Sequence, residues 1–420
     1  MLRNNLSGQL MAGSMAALML SAVPSASVAE ELIVYHGWST TAEVAALTAL
    51  REALEAKGHT WKDLAIPHNS GVNVSLVNLV TGGEPPNIFS NSDPGVYRDL
   101  AGLGLTRDLT DFYNEIGATE NFFPIIRELS TVDGQMVKVP LFMHIDGMVY
   151  WNKEVAAKAG VDPSAWKSVD EMIADFDKVR AAGFVPAAVG GQAFQVGYLF
   201  HAMLAATAGP DIYNRMYGPE PDPTVFDSPE VARAIEIIRT FSNEATPESE
   251  NRPWNETTNT VIAGQALFHI MGDWMKGEWK AAGKVPGVDF GCIVIPGTKA
   301  VAVTSDAMGI LGGQSEAMDQ AELDFVAAAV DPVVSGEANK RKGSTSPRSD
   351  APADLMDECN KVAMDALNVP NGQVANPFNI TDTDWHNAIW TVMYNFWSDK
   401  SQTTDDAIAA LKENYDSIFG

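Results

Sequence analysis

Apolar positions after residue 30 alternate between short continuous runs and stretches of helical spacing. Residues 32–35 form an apolar run that predicts a strand, and "NIFS" at 87–90 predicts another. Between them, Thr40 precedes Glu43 by the spacing of a capping box, which predicts a helix start. The apolar face of that helix would be Val44, Leu47, Leu50 and Leu54. With a further helix near 75–80, the predicted order is β, α, α, β, which is typical of an open α/β sheet.

The middle of the chain begins with a longer extended run. Residues 137–161 contain strand-like sequence that leads into a helix near Lys153, and such a segment could carry the chain from one lobe to another. A second strand-like pattern at 292–311 has the character of a return crossing. Helices are predicted between them at 168–182, 195–208, 230–244, 256–264 and 273–282, with strands near 185–189 and 266–271.

The N-terminal segment has the pattern of an export signal. A positive charge at Arg3 precedes a largely apolar run at 10–23, and Ser27-Val28-Ala29 is a small-residue cleavage site, so residues 1–29 are predicted to be removed. The apolar run is too short for a membrane span, which needs roughly 20 residues. The export signal predicts a secreted protein, and the remaining chain, too long for one compact core, predicts two lobes.

Charge and cysteine content narrow the function. The net charge of −26 disfavours nucleic acid and anionic membranes as partners, and membrane insertion is not expected. The histidines show no pair at metal-ligand spacing, so no metal or other cofactor is predicted. In an oxidising compartment, Cys292 and Cys359 could form one disulfide, with two separate buried thiols as the alternative.

In open α/β sheets, ligands bind beyond the carboxyl ends of strands, where loops lead into helices. The junctions here are "HGWSTTAE", "FSNSDP", "HIMGDW" and "VTSDAM". In "HIMGDWMKGEW", Asp273 is predicted to cap the following helix, and Trp274 to project toward the crevice. Met275 and Trp279 are predicted core residues.

At these junctions the sequence resembles a known family. "HGWSTTAE", "GGQAFQ", "PWNETTNTVIAGQALFHIMGDWMKGEWKAAGK", "GCIVIPGT" and "NKRKGSTSPR" are similar, in that order, to periplasmic sugar-binding proteins of ABC importers. The resemblance is to the glucose-binding branch of the maltose-binding-like class of extracellular solute-binding proteins. It implies an α/β, two-lobed periplasmic binding protein fold of type II, with mixed open sheets and hinge strands between the lobes. The expected lobes are 30–140 with about 302–342, and about 141–301 with 343–420.

The resemblance also implies a set of sugar-binding positions. Those carried over are Trp38, Glu43, Ser90, Ser92, Trp274, Thr304, Asp306, Lys342 and Asn376, and His144, Gln195 and Trp254 are further candidates from their own positions. Aromatic faces complement the C–H faces of a pyranose, and a carboxylate can accept hydrogen bonds from adjacent sugar hydroxyls.

Several residues depart from the glucose-binding pattern. Gly37 stands where those proteins have a second tryptophan, and Phe194 replaces the tryptophan of their "GGQxWQ" motif. Ser90, Ser92, Thr304 and Asn376 are shorter or differently polar. The scaffold is unaffected, but a cleft with less aromatic bulk could hold another hexose or a larger sugar.

The sequence therefore predicts a monomeric solute receptor, not an enzyme, that captures a neutral sugar, glucose or a similar hexose, and delivers it to the transmembrane subunits of an ABC permease. A two-lobe binder of a polyol, osmolyte or oligosaccharide is the alternative. A glycoside hydrolase could use Glu43 and Asp306 as its carboxylate pair. The absence of a nucleophile, phosphate-loop or metal motif argues against that reaction.

Overall fold

The computed structural model describes residues 29–66, 72–312 and 315–420, so the predicted export signal lies almost entirely outside the described residues. Among the described residues the strands are β1 (Glu31–His36), β2 (Thr60–Ala65), β3 (Ile88–Ser90), β4 (Thr131–Val132), β5 (Gln135–Met136), β6 (Lys138–Ile145), β7 (Met148–Asn152), β8 (Val185–Ala188), β9 (Ala266–Met271), β10 (Phe290–Val294), β11 (Val301–Ile310) and β12 (Gln373–Ala375).

The helices of the same residues are α1 (Thr41–Glu55), α2 (Val72–Thr81), α3 (Pro94–Gly102), α4 (Thr110–Glu115), α5 (Pro124–Ser130), α6 (Lys153–Ala159), α7 (Val169–Ala174), α8 (Phe176–Ala181), α9 (Ala193–Ala208), α10 (Pro210–Tyr217), α11 (Pro229–Glu244), α12 (Trp254–Ile262), α13 (Met275–Ala281), α14 (Glu316–Ala329), α15 (Pro332–Lys342), α16 (Glu358–Leu367), α17 (Pro377–Ile380), α18 (Thr383–Ser398) and α19 (Thr404–Phe419). None of these helices is both long and apolar enough to cross a bilayer.

The larger of the two main sheets is mixed and contains the N-terminal strands. Its order is β12-β11-β3-β1-β2, with β6 paired to the long strand β11. The strands β1, β2 and β3 are parallel, whereas β11 runs antiparallel to β3 and β6. Residues on opposite faces of β1 enter different apolar clusters, Val34 on one side and Tyr35 on the other. Helices therefore cover both faces of this sheet, as its apolar strands require.

The second main sheet has the order β10-β7-β9-β8 and is also mixed. The predicted long extended run is divided between the two sheets, because β6 belongs to the first and β7 to the second. A turn at Asp146 and Gly147 separates them, and Gly147 adopts a φ of 81° that a side chain would oppose. The predicted return segment divides in the same way, with β10 in the second sheet and β11 in the first.

Three sequence predictions of local structure were wrong. Strand β2 was missed because Thr60–Ala65 is an edge strand whose apolar run is interrupted by the adjacent charged residues Lys62 and Asp63, so the N-terminal order is β, α, β, α, β. Val44 is 48% exposed and lies outside the core face of α1. The helix predicted at 168–182 is two helices that meet at Asp175, which ends α7 and precedes α8.

The capping box at the start of α1 is confirmed. The Thr40 side chain accepts a hydrogen bond from the Glu43 N–H, and the Glu43 carboxylate accepts one from the Thr40 N–H. These reciprocal bonds satisfy two backbone donors that the first helical turn cannot pair by itself.

A disulfide joins Cys292 in β10 to Cys359 in α16. It closes a segment with a sequence separation of 67 residues and fixes α16 beside the second sheet. The neighbouring Lys276 of α13 donates to Asp357 and Asn360 at the start of α16, so α13 and α16 are linked as well.

We expect the double variant Cys292→Ser, Cys359→Ser to be less stable than the wild type by about 4 kcal/mol, because the loop-entropy relation for a loop of this length gives that value. Urea unfolding followed by circular dichroism measures the difference. Added reductant should shift the wild-type midpoint toward that of the variant and leave the variant unchanged. Equal midpoints for the oxidised wild type and the variant would contradict the expected contribution.

Candidate functional site

The centre of the candidate site is the antiparallel ladder between β6 and β11. In its register His144 lies opposite Thr304, and Phe142 lies opposite Asp306. Residues two apart in a strand share a face, and opposed residues point to the same side of the sheet. One face of the ladder therefore carries an aromatic ring, an imidazole, a hydroxyl and a carboxylate in a compact patch. The register shifts immediately after Asp306, where the ladder becomes irregular.

His144 is held between two carboxylates. Its Nδ1 lies 2.6 Å from Asp273 Oδ1, and its Nε2 lies 3.2 Å from Asp306 Oδ2. His144 and Asp273 are buried, whereas the side chain of Asp306 is 26% exposed. Because Asp273 follows β9 of the second sheet and Asp306 belongs to β11 of the first, the imidazole links the two sheets.

These carboxylates determine the charge of the ring. Burial disfavours the imidazolium, but the negative charges and hydrogen bonds of Asp273 and Asp306 outweigh it and raise the pKa of His144 to about 9. The ring is therefore protonated at neutral pH, and both of its nitrogens donate. Burial also raises the pKa of the Asp273 carboxyl, against the opposing effect of His144 and Lys276. We take Asp273 as ionised beside the imidazolium, because the short bond to Nδ1 favours the charged pair.

The prediction that Asp273 caps α13 was wrong. The N-cap position is Trp274, and no side chain caps this helix start. The Asp273 backbone instead bonds to β6, through its N–H to the Ile145 carbonyl, and its carboxylate turns to His144. A buried imidazolium competes for the carboxylate more strongly than a helix of one or two turns does.

Trp274 lies among other aromatic rings. Its ring centroid is 4.9 Å from that of His144, 5.5 Å from Tyr198 and 6.4 Å from Trp254, each nearly perpendicular. A Cβ atom at Gly272 would overlap the six-membered ring of Trp274, so a glycine is required there. The predicted core positions Met275 and Trp279 are buried, as expected.

Trp38, Glu43 and Lys342 form a second group beside Phe142. The Trp38 ring contacts Phe142 edge-on at 5.5 Å. Glu43 Oε2 accepts from the N–H groups of Ser39 and Thr40, and Glu43 Oε1 accepts from Lys342 Nζ at 3.0 Å. This ion pair is buried, and its partners come from α1 and the end of α15.

The close approach of α15 and α13 explains why the Lys-Gly-Ser turn that begins at Lys342 contains a glycine. Gly343 has a φ of 94°, and a Cβ atom there would overlap the backbone of Gly277. Glycines at both positions let the two chain segments touch, which brings the end of α15 against the helix that follows Trp274.

The serines of the β3 junction are both buried. Ser90 ends β3 and lies opposite Met308 of β11. The Ser92 hydroxyl donates to the Ser305 carbonyl at 2.7 Å and accepts from the Ala307 N–H at 3.2 Å. Ser92 thus bonds to the backbone on both sides of Asp306.

Thr304 and Asn376 bind a carboxylate that the sequence analysis did not single out. Asp146 accepts from Thr304 Oγ1 at 2.9 Å, from Asn376 Nδ2 at 2.6 Å and from His201 Nε2 at 3.0 Å. All of these side chains are buried. Asp146 lies in the turn between the two sheets, and it links this turn to β11, to the residue after β12 and to α9.

Asp146 and Tyr198 were both missed by the sequence prediction, although each has a signal that could have found it. Asp146 lies two positions after His144, so strand alternation could have placed both on one face. Tyr198 lies four positions after Phe194 in α9, and helical spacing could have paired their rings, which are 6.2 Å apart. Burial raises the pKa of the Tyr198 phenol. The candidate Gln195 is instead buried, and its amide donates to Gln192 and to the Arg252 carbonyl.

Two mixed open sheets joined by crossing strands give the fold of the two-lobed class of solute receptors, and the candidate site gathers aromatic and acidic side chains where strands of both sheets end. A family model for bacterial extracellular solute-binding proteins matches residues 37–330. The chain belongs to this family, whose members are solute-binding proteins and not enzymes, and it is a periplasmic protein.

The relatives agree with this assignment. A probable sugar-binding periplasmic protein of Mesorhizobium japonicum is 30% identical over 97% of this chain and 99% of its own. Among solved structures, a chitin oligosaccharide binding protein superposes with a TM-score of 0.78 at 20% identity, covering 93% of this chain and 98% of its own. A maltose-bound MalE3 of T. maritima gives 0.77 at 18% identity, covering 93% and 100%. The expected maltose-binding-like fold is confirmed.

The charge of His144 predicts that the stability of the folded protein depends on pH, and a comparison with His144→Asn isolates this effect. Since the pKa of His144 is raised from 6.5 to about 9, the stabilisation that its protonated ring gives the folded state is fully present below pH 6.5 and is lost as the pH rises through 9. The stability difference between wild type and variant should therefore shrink by about 3 kcal/mol from about pH 6 to about pH 10.

Urea unfolding of both proteins at each pH measures this difference. Taking the difference removes the contributions of other groups that titrate in this range, such as Lys138, whose pKa burial lowers to about 7. A difference that stays constant across the range would mean that the ring of His144 is neutral in the folded protein.

Proposed function

We propose that the protein is the periplasmic receptor of an ABC importer and captures a neutral sugar between two lobes. The observation that carries this proposal is the position of Asp306. Its carboxylate is more exposed than that of Asp273, the other acid bonded to His144, and it lies on the ladder face that also carries Phe142 and His144. Contacts between rings extend from this face to Trp38 on one side and Trp274 on the other. A carboxylate flanked by indoles suits the hydroxyls and C–H faces of a pyranose.

The two candidate acids of the site are paired differently. Glu43 has Lys342 as its partner, whereas Asp306 shares the protonated His144 with Asp273. Two carboxylates on one imidazolium keep one net negative charge, so the Asp306 carboxylate can accept charge-assisted hydrogen bonds from the hydroxyls of a sugar or polyol.

Glucose or a similar hexose is our first choice of ligand, with an oligosaccharide as the alternative. The sugar-binding names of relatives such as the Mesorhizobium protein support the class of ligand. The fold is also shared with a chitin oligosaccharide binding protein, so the scaffold suits ligands of more than one ring. The carboxylate of Glu43 is occupied by two backbone N–H groups and Lys342, which leaves it poorly suited to act as a hydrolytic acid.

We propose that the lobes form around the two main sheets and move about the segments that cross between them. The first lobe would hold the N-terminal strands, β6 and β11, and the second would hold β7 to β10, so that the first crossing falls at Asp146 and Gly147. Closure would bring the two lobes together around the sugar. The closed receptor, as a monomer, would then dock on the transmembrane subunits of the permease.

Titration of the purified mature protein with D-glucose, D-galactose, D-xylose, maltose, chitobiose, sorbitol and glycine betaine tests this function. We expect one or more sugars to bind with micromolar affinity, which corresponds to about 8 kcal/mol, and to raise the melting temperature. Calorimetry gives the affinity, and mass spectrometry of the bound sugar checks that it is released unchanged. Binding of betaine alone, or of no compound, would contradict the sugar assignment.

The same titration with Trp274→Leu locates the site. Trp166→Leu is the matched control, since Trp166 is equally buried, at 9% exposed, but belongs to the apolar core around the second sheet. Loss of a ring contact should weaken binding by about 10-fold for Trp274→Leu, whereas Trp166→Leu should lower stability and leave the affinity of the folded fraction unchanged. The reverse pattern would place the sugar elsewhere.

A further inference from the structure

His144 has no capacity left for a ligand. Both ring nitrogens are used, Nδ1 by Asp273 and Nε2 by Asp306. The side chain is 1% exposed, and its ring is packed between Phe142 and Trp274, with centroids 6.3 Å and 4.9 Å away. A sugar hydroxyl could not reach either nitrogen without breaking one of these bonds, so the expectation that His144 contacts the sugar does not fit its surroundings.

The backbone that carries Asp306 is fixed on both sides. Ser92 bonds to the Ser305 carbonyl and to the Ala307 N–H. Asn379 accepts from the Ser305 N–H at 3.0 Å and donates to the Ser305 carbonyl at 3.1 Å. These bonds hold the main chain at the point where the β6–β11 register shifts. They do not determine the orientation of the Asp306 carboxylate, which projects from the ladder face.

We propose that His144 is a positioning residue of the sugar site: its imidazolium, anchored by Asp273, holds the Asp306 carboxylate in the orientation that receives sugar hydroxyls. The inference rests on the proposed function, because it assigns Asp306 to the sugar. It makes Asp273, which the sequence analysis treated as a helix cap, part of the binding apparatus through His144. It also couples the junction after β9, where Trp274 lies, to Asp306 on β11.

The geometry gives this arrangement a physical purpose. A carboxylate that is partly removed from water is free to rotate about its side-chain torsions unless a directional donor holds it. His144 supplies a donor of this kind from the diagonal position of the ladder, where side chains of the same face meet. It also places a cation between Asp273 and Asp306, whose negative charges would otherwise oppose each other.

A double-mutant cycle tests the proposal. The variants are His144→Asn, Asp306→Asn and the pair, and the ligand is whichever sugar of the panel binds the wild type most tightly, beginning with D-glucose. Asparagine keeps an amide near the Nδ1 position but cannot reach Asp306. We expect His144→Asn to weaken binding by about 10-fold or more and Asp306→Asn by at least as much. In the Asp306→Asn background, His144→Asn should have little further effect, because the histidine acts through that carboxylate.

Two further variants separate positioning from general damage to the fold. His144→Gln, whose amide nitrogen approaches the place of Nε2, should recover part of the affinity that His144→Asn loses. His269→Asn is the control, since His269 is equally buried in β9 but bonds to Thr258 and contacts neither acid, and burial lowers its pKa to about 3. We expect sugar affinity to be unchanged in that variant.

If His144→Asn does not fold, two other measurements test the proposal. One is sugar binding by Asp273→Asn, and the other is the nitrogen chemical shifts of the His144 imidazole in labelled wild-type protein. The ring should show two protonated nitrogens at pH 8, and Asp273→Asn should weaken sugar binding. A wild type that binds sugar while His144→Asn binds it equally well, or losses that add fully in the pair, would overturn the positioning role. A wild type that binds no sugar would instead overturn the proposed function.

Discussion

The pairing of β6 with β11 is the constraint on which the site depends. Each strand leads across to the second sheet, β6 at its end and β11 from its start, so their ladder is formed where the two sheets meet. Its register fixes which side chains share a face, and a slip of one residue between the strands would place His144 and Asp306 on opposite faces. The same ladder brings Asp146 beside Thr304, so the contacts that join the crossing segments and the contacts that form the site have one origin.

Several buried charged side chains in this region are ion-paired between segments. Each group brings a cation from one segment to an acid of another: Lys342 to Glu43, Lys276 to Asp357, and His144 to Asp273 and Asp306. Breaking such a group by removing one partner is costly, because an uncompensated charge then remains in a medium of low dielectric constant. These groups therefore specify how α1, α13, α15 and α16 pack. The His144 group keeps one net negative charge, which makes the partly exposed Asp306 carboxylate a strong acceptor for the hydroxyls of a ligand.

Local patterns in the sequence predicted much of the fold. The capping box at Thr40, the strand at 266–271 and an extended run within 137–161 that passes from one sheet to the other all follow from short-range spacing. Strand β2 was missed because its burial depends on its place at the sheet edge, which no local pattern encodes.

Candidate site positions near strand ends were found through junctions and family resemblance. Their partners were not, since the bonds of His144 to Asp273 and Asp306 span 129 and 162 residues. The cap assigned to Asp273 failed for the same reason, because a distant imidazolium competes with a local helix end.

A crystal structure of the protein with the tightest-binding sugar shows directly whether Asp306 receives the ligand. We expect a pyranose between the indoles of Trp38 and Trp274, with hydroxyls within hydrogen-bond distance of the Asp306 carboxylate and with His144 still bonded to both acids. A sugar bound away from Asp306, or bound with His144 turned out of its contact with Asp273, would contradict this expectation.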